Sequence, residues 1–246
     1  MKVVIAGATG TIGRHVVEEA QRRGHDVVAL SRSAGQDVAT GRGLDVALAG
    51  ADVVIDVTSQ MTTNTKKAVA FFTEATRNLQ AAERVAGVGH HVALSIVGID
   101  DIDTGYYAGK LAQERAVAAG DVPWSILRAA QFHEFVGQMV GQLSFGPITI
   151  VPTFLVRPVA AREVAAALVD IAESGPAGRV TDLVGPRDET LLELVRRLYA
   201  HDGTTRRPLG VSLPGKYFRA AASGVLRGTR DARQGETTFE EWLKEQ

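Results

Sequence analysis

Apolar residues fall in short runs through the first half of the chain, with helical stripes between them. Lys2-Val3-Val4-Ile5-Ala6, Asp26-Val27-Val28-Ala29-Leu30, Ala51 to Val57, His91 to Val97 and Pro123 to Arg128 are each too short to be a buried helix. Each is bounded by glycine, proline or polar residues, which predicts core strands. Between them, Ile12, Val16, Val17 and Ala20 recur at helical spacing within Thr11 to Arg23. Ala68, Val69, Phe72, Ala75, Leu79 and Ala82 do so within Thr65 to Val85, and a further helix is expected over Tyr106 to Ala119. Gly24 and Gly120 stand where helix C-termini stop. Gln36 to Thr40 gives a weaker signal for a short extra strand. A strand–helix–strand unit completed within thirty residues is nearly always a right-handed crossover between parallel strands. Its repetition predicts an α/β fold with a doubly wound parallel sheet.

After about Gln131 the rhythm loosens. Helices are expected over Glu134 to Leu143, Ala161 to Glu173 and Thr190 to Tyr199. Strand-like stretches run over Pro147 to Pro152, Val156 to Val159 and Arg179 to Val184. His201 to Gly235, rich in glycine and arginine, resists assignment, and Phe239 to Leu243 ends the chain as a short helix. No linker separates two independent domains. The expectation is a core over residues 1–130 and a small α+β substrate lobe over 131–246, whose elements return to the core within one structural unit.

Composition adds exclusions. The chain has 246 residues, 45% hydrophobic and 22% charged, enough for a sizeable core. A formal net charge of −1 gives no reason to expect nucleic acid or an acidic membrane as partner. With no cysteine, disulfides, thiolate catalysis and cysteine-ligated metals are excluded. The chain enters a strand at once and carries no membrane-length apolar run, so a cytoplasmic protein is expected. His15 and His90-His91 lack partners at ligand spacing, and no metal site is expected.

The candidate chemistry begins at Gly7-Ala8-Thr9-Gly10-Thr11-Ile12-Gly13. Three glycines after a strand and before a helix allow a tight turn, close approach of backbone to a ligand and tight helix–sheet packing. The helix that follows offers free N–H groups to an anion, most simply a dinucleotide pyrophosphate. At the end of the second strand, where an acidic residue usually accepts from the adenosine ribose, stand Ser31, Arg32 and Ser33. They suit a 2′-phosphate and so NADPH (NADP) over NADH. Asp45 approaches the adenine or merely heads a helix; Thr58 and Ser59, ending the fourth strand, are expected near the nicotinamide half. Arg128, Gln131, Phe132 and His133 end the sixth strand, where a substrate-pocket wall is expected, although His133 reads more readily as a structural histidine.

Tyr106 and Lys110 share one helix face at i and i+4, and Ser95 lies on the preceding strand. An ammonium beside a phenol favours phenolate and lowers its pKa from about 10. The glycine turn, Arg32, Ser95 and Tyr106-x-x-x-Lys110 together resemble the short-chain dehydrogenase/reductase superfamily, and length and lobe resemble its atypical NmrA-like branch. The resemblance implies a Rossmann core of strand order 3-2-1-4-5-6 with bound NAD(P). It also implies that Tyr106 is general acid/base, that Lys110 contacts the nicotinamide ribose and that Ser95 orients the substrate. The function so implied is NADPH-dependent reduction of a small carbonyl or quinone-like molecule. The branch also contains proteins that bind the dinucleotide without evident catalysis, which makes a redox sensor the alternative. The partner expected is a small-molecule substrate; the helices over Thr65–Val85 and Tyr106–Ala119 either pair across a homodimer or cover the sheet.

Overall fold

The computed structural model describes all 246 residues. They form two compact units, one of Met1–Ser95, Asp103–Arg128 and Val164–Val180, the other of Ile96–Ile102, Ala129–Glu163 and Thr181–Gln246.

In chain order the first elements are β1 (Lys2–Ala6), α1 (Thr11–Arg22), β2 (Asp26–Leu30), α2 (Leu44–Leu48), β3 (Val53–Asp56), α3 (Thr65–Ala86), β4 (His90–Ile96), α4 (Gly105–Ala118) and β5 (Trp124–Ala129). The strands stand in the order β5-β4-β3-β1-β2. The pairings of β1 with β2 and β3, and of β3 with β4, are parallel. Successive strand residues point to opposite faces. Val4, Ala6 and Val54 pack with Leu44, Leu48 and Leu79, so α2 and α3 cover one face. Val3, Ile5, Val53 and Ile55 are also buried, which is why these strands read as unbroken apolar runs. Each such side chain contributes about 1.5–3 kcal/mol by leaving water.

Ile12, Val16 and Ala20 form the buried stripe of α1. Its last turn is tied to the helix Ala161–Ser174: Arg23 Nη1 donates to Asp170 Oδ1 and to Glu173 Oε2, both at 2.8 Å. Glu19, held by Arg22 and Arg23, is lowered to about 2. α3 and α4 pack on each other so closely that a Cβ on Gly109 would sit 2.6 Å from the Phe72 ring. Gly178–Arg179 pairs in parallel with β5.

Two expectations need correction. Gln36 to Thr40 is not a strand. Asp37 N–H donates to Arg42 O at 3.0 Å, Gly41 N–H returns to Asp37 O at 2.9 Å, and Gly41 and Gly43 both take positive φ. Those glycines curl the chain into α2, and Asn78 Nδ2 holds the curl through Val38 O and Ala39 O. The sheet therefore ends at β2, without the outermost strand of the 3-2-1-4-5-6 order. The single strand expected over Arg179 to Val184 is two pieces, Gly178–Arg179 and Leu183–Val184.

In the second unit, Ile148–Pro152 is the centre of a three-stranded sheet, parallel to Arg207–Val211 and antiparallel to Ser144–Phe145. The helices Glu134–Leu143 and Leu191–Asp202 pack on it, and Thr149 bonds to the Tyr199 hydroxyl. Thr238 and Glu241 form a capping box for the final helix, Phe239–Leu243. His201 to Gly235, unassigned from sequence, contains the strand Arg207–Val211 and the helix Lys216–Ser223. No helix of the chain is long and apolar enough to cross a membrane.

Candidate functional site

The turn after β1 has the geometry its glycines dictate. Gly7 takes φ +86, and a Cβ there would lie 2.8 Å from Val57 O. Gly10 N–H donates to Gly7 O at 3.0 Å and closes the turn. Gly13 seats α1 directly on it, since a Cβ at Gly13 would lie 2.1 Å from Gly7 O and 2.7 Å from the Ala8 backbone. Gly10 is the N-cap of α1; no side chain caps it and no acidic residue lies in the first turn. The positive helix end is thus left to an acceptor from outside. Around it Thr9 is exposed, Thr11 half-buried and Ile12 buried.

After β2, Ser31 Oγ accepts from Ala34 N–H at 3.2 Å and lies 3.0 Å from Ser33 Oγ, building a single tight turn over Arg32–Ala34. Arg32 is exposed, and its side chain makes no hydrogen bond or ion pair. Asp45 is an exposed first-turn residue of α2, as the helix-start reading has it.

A buried polar network lies beyond β3. Asp56, fully buried, accepts at Oδ1 from Thr58 N–H at 2.9 Å and from Thr58 Oγ1 at 2.6 Å. Its Oδ2 accepts from Gln113 Nε2 at 2.7 Å. That bond fixes the amide so that Gln113 Oε1 faces the Lys110 ammonium, which donates to it and, at 2.5 Å, to Leu94 O. Lys110 Nζ also sits 5.0 Å from the centre of the Phe72 ring. Burial pushes Lys110 down to about 8, against the opposing pull of Asp56 and Glu114.

Tyr106 Oη lies 2.9 Å from Ser59 Oγ. Burial raises the phenol above its ordinary value; the Ser59 hydrogen bond opposes this and Asp56 adds to it. Ser95 Oγ is buried with no hydrogen-bond partner. Ser95, Tyr106 and Lys110 thus share the first unit but are not linked to one another, and the phenol is shifted up, opposite to the direction an adjacent ammonium would impose. Neither Asp56 nor Gln113 was singled out in the sequence. The available signal was an aspartate ending an otherwise apolar core strand, a position where carboxylates are rare unless partnered.

Of the residues expected to wall a pocket, Arg128 and His133 are held in contacts of their own. Arg128 is buried and paired with Glu114, Nε to Oε1 at 2.7 Å and Nη2 to Oε2 at 2.6 Å. His133 is a packing residue. It is buried against the stacked Phe239 and Trp242 rings, at 5.5 and 5.7 Å, with Nε2 3.1 Å from Thr237 O, and burial lowers its pKa. The anchoring of the C-terminal helix claims this ring. Phe132 is half-buried and bridges to Val159, while both amide atoms of Gln131 are buried without partners. The second unit does hold a cavity of 360 Å³, but it is lined by Phe154, Phe218 and their neighbours, none of them anticipated.

Residues 7–174 match the family model described as NAD(P)H-binding. The chain belongs to this NAD(P)H-binding family. Its members' dinucleotide suits what the residues offer: a tight turn that only glycine at positions 7 and 13 lets the backbone close, an uncapped helix end, and an arginine side chain without a hydrogen bond or ion pair beyond β2. The chain is 30% identical over 235 residues to the 4-hydroxy-tetrahydrodipicolinate reductase of Natronomonas pharaonis, covering 94% of this chain and 81% of that protein. Among solved structures, it superposes on the NADPH-dependent quinone oxidoreductase of Escherichia coli in complex with NADPH. That match has a TM-score of 0.78 and 20% identity, covering 99% of each chain. The UDP-glucose 4-epimerase of Thermotoga maritima gives a TM-score of 0.78 at 16% identity, covering 99% and 96%. These likenesses establish a Rossmann-type α/β fold for the NAD(P)H-binding chain.

Proposed function

We propose that this NAD(P)H-binding protein is an NADPH-dependent oxidoreductase that reduces a small carbonyl or quinone-like substrate. The observation that carries the cofactor preference is Arg32, exposed and unpaired between two serines directly after β2. A charge-assisted arginine–phosphate bond is worth about 1.5–3 kcal/mol. Replacing Arg32 by alanine should therefore weaken NADPH roughly tenfold to a hundredfold and leave NADH unchanged, read as two dissociation constants by fluorescence titration. An unchanged ratio would remove Arg32 from the role.

The nicotinamide, when bound, would supply the hydride. The chain's part is to hold the dinucleotide on the Gly7–Gly13 turn and to deliver a proton from Tyr106 Oη to the reduced oxygen. A phenol shifted up stays protonated near neutrality, which suits an acid in the direction of reduction, and the Ser59 hydroxyl at 2.9 Å is placed to return the proton. Tyr106→Phe should cut carbonyl reduction by about a hundredfold or more in steady-state assays. Quinone reduction should fall less, because quinone oxygens take protons from water. The quinone class draws support from the oxidoreductase that shares the fold.

One observation favours a second reading, a non-catalytic NADP(H) redox sensor. The Lys110 ammonium is engaged by Leu94 O and Gln113 and not by the phenol. Tight NADPH binding with no oxidation across a broad carbonyl and quinone panel would select the sensor; steady NADPH oxidation above background would select the enzyme.

A further inference from the structure

We propose that the second unit carries a binding site for a small, flat aromatic carboxylate, an inference independent of the dinucleotide. The site is the 360 Å³ cavity whose lining combines apolar Phe154, Leu213 and Phe218 with polar Thr153, Ser212 and Arg219. Its volume lies within the roughly 300–1,000 Å³ typical of small-molecule pockets, and so does its make-up of apolar wall with a few polar groups.

The wall is fixed. Phe154 is 3% exposed and lies edge-on to Tyr217, with ring centres 5.7 Å apart at 81°. Phe218 meets Phe154 at 6.1 Å with its plane only 31° away, and meets Tyr217 edge-on at 5.0 Å. Phe154 is almost wholly covered, so a flat ligand lies against the half-buried Phe218 ring that Phe154 and Tyr217 back. Stacked and edge contacts of this kind favour a ring over an aliphatic chain of equal area.

The polar lining asks for an anion. Arg219, on the helix Lys216–Ser223, is exposed, and its side chain makes no hydrogen bond or ion pair. Arg157 and Arg227 of this unit share Asp188, Arg162 pairs with Glu245, and Arg197 with Glu189 and Glu240, whereas Arg219 faces the cavity without a carboxylate. Thr153 Oγ1 and Ser212 Oγ share a long hydrogen bond of 3.5 Å, weak enough to be exchanged for a bond to a carboxylate. A planar guanidinium with two hydroxyl donors matches a carboxylate, and the ring wall selects an aromatic one over a free phosphate.

The test uses the full chain with cinnamate and its neutral counterpart, cinnamyl alcohol, titrated by calorimetry. Cinnamate should bind wild type more tightly than the alcohol. Arg219→Met should weaken cinnamate roughly tenfold or more while leaving the alcohol unchanged. Phe218→Ala should weaken both. Absence of cinnamate binding at millimolar concentration, or equal affinity for wild type and Arg219→Met, would overturn the proposal. NADPH is titrated into the same samples. Failure of that titration alone counts against the cofactor reading, and failure of cinnamate alone counts against this site.

Discussion

Gly13→Ala should both destabilise the chain and abolish dinucleotide binding. The added methyl would lie 2.1 Å from Gly7 O and 2.7 Å from the Ala8 backbone, and both are main-chain atoms that cannot rotate aside. Relief requires α1 to lift from the turn, and overpacking of this kind costs about 1–3 kcal/mol. In a chain of this size each kcal/mol is worth roughly 2–4 °C in melting temperature. Lifting α1 also carries its free N–H groups away from where a pyrophosphate would sit, so NADPH affinity is lost with the stability. Gly10→Ala is the matched control. Gly10 has an ordinary φ of −74, and a Cβ there meets Gly7 O at 3.2 Å, tight but far milder than at Gly13, so melting should fall much less. Thermal melts and NADPH titrations of the two variants separate the glycine that packs the helix from the one that approaches the ligand. Equal melting of Gly13→Ala and wild type would contradict the packing assigned to α1.

The Gly13 contact also shows why the first half of the chain was legible. Strands buried on both faces leave unbroken apolar runs, and a helix with one buried stripe repeats its apolar residues every three or four positions; Val3 to Ala6 and Ile12, Val16 and Ala20 do both. The failure at Gln36 to Thr40 is of another kind. Val38 is partly buried against the core like a strand residue, yet Gly41 and Gly43 take positive φ and turn the chain back. Local composition there does not say whether the segment pairs with β2 or curls beneath it. His133 was read by its position at a strand end, but its ring is claimed by Phe239 and Trp242, more than a hundred residues away in sequence. The wall of Phe154 and Phe218 and the free Arg219 were unreadable for the same reason. Their meaning comes from a cavity assembled by segments around residues 153, 212 and 219, and two of these lie in the stretch where periodicity is weakest.

The Asp56 network is likewise tertiary, and it carries the other large expected effect. Asp56→Ala removes the acceptor of three donors, Thr58 N–H, Thr58 Oγ1 and Gln113 Nε2, all in a region closed to water. It also takes away the carboxylate that helps keep the buried Lys110 charged. Leaving a buried donor without its acceptor costs about 1–3 kcal/mol, and with three donors orphaned a loss of several such increments is expected in denaturant melts. The pH dependence identifies the cause. Lys110 is lowered from 10.5 to about 8. Between those values the unfolded chain still holds a proton that the folded chain has released. The unfolded state then binds more protons, so stability rises with pH through that window, while below it the cost of burying the ammonium is borne in full. Relative to Lys110→Met, wild type should gain about 3 kcal/mol from the lower to the upper end. In Asp56→Ala the lower end of the window should move further down, because the carboxylate that opposes deprotonation is gone. A wild-type stability parallel to that of Lys110→Met across this range would mean that Lys110 does not titrate in the buried site. A moved window without loss of stability would mean that Asp56 tunes the ammonium without holding Thr58 and Gln113 in place.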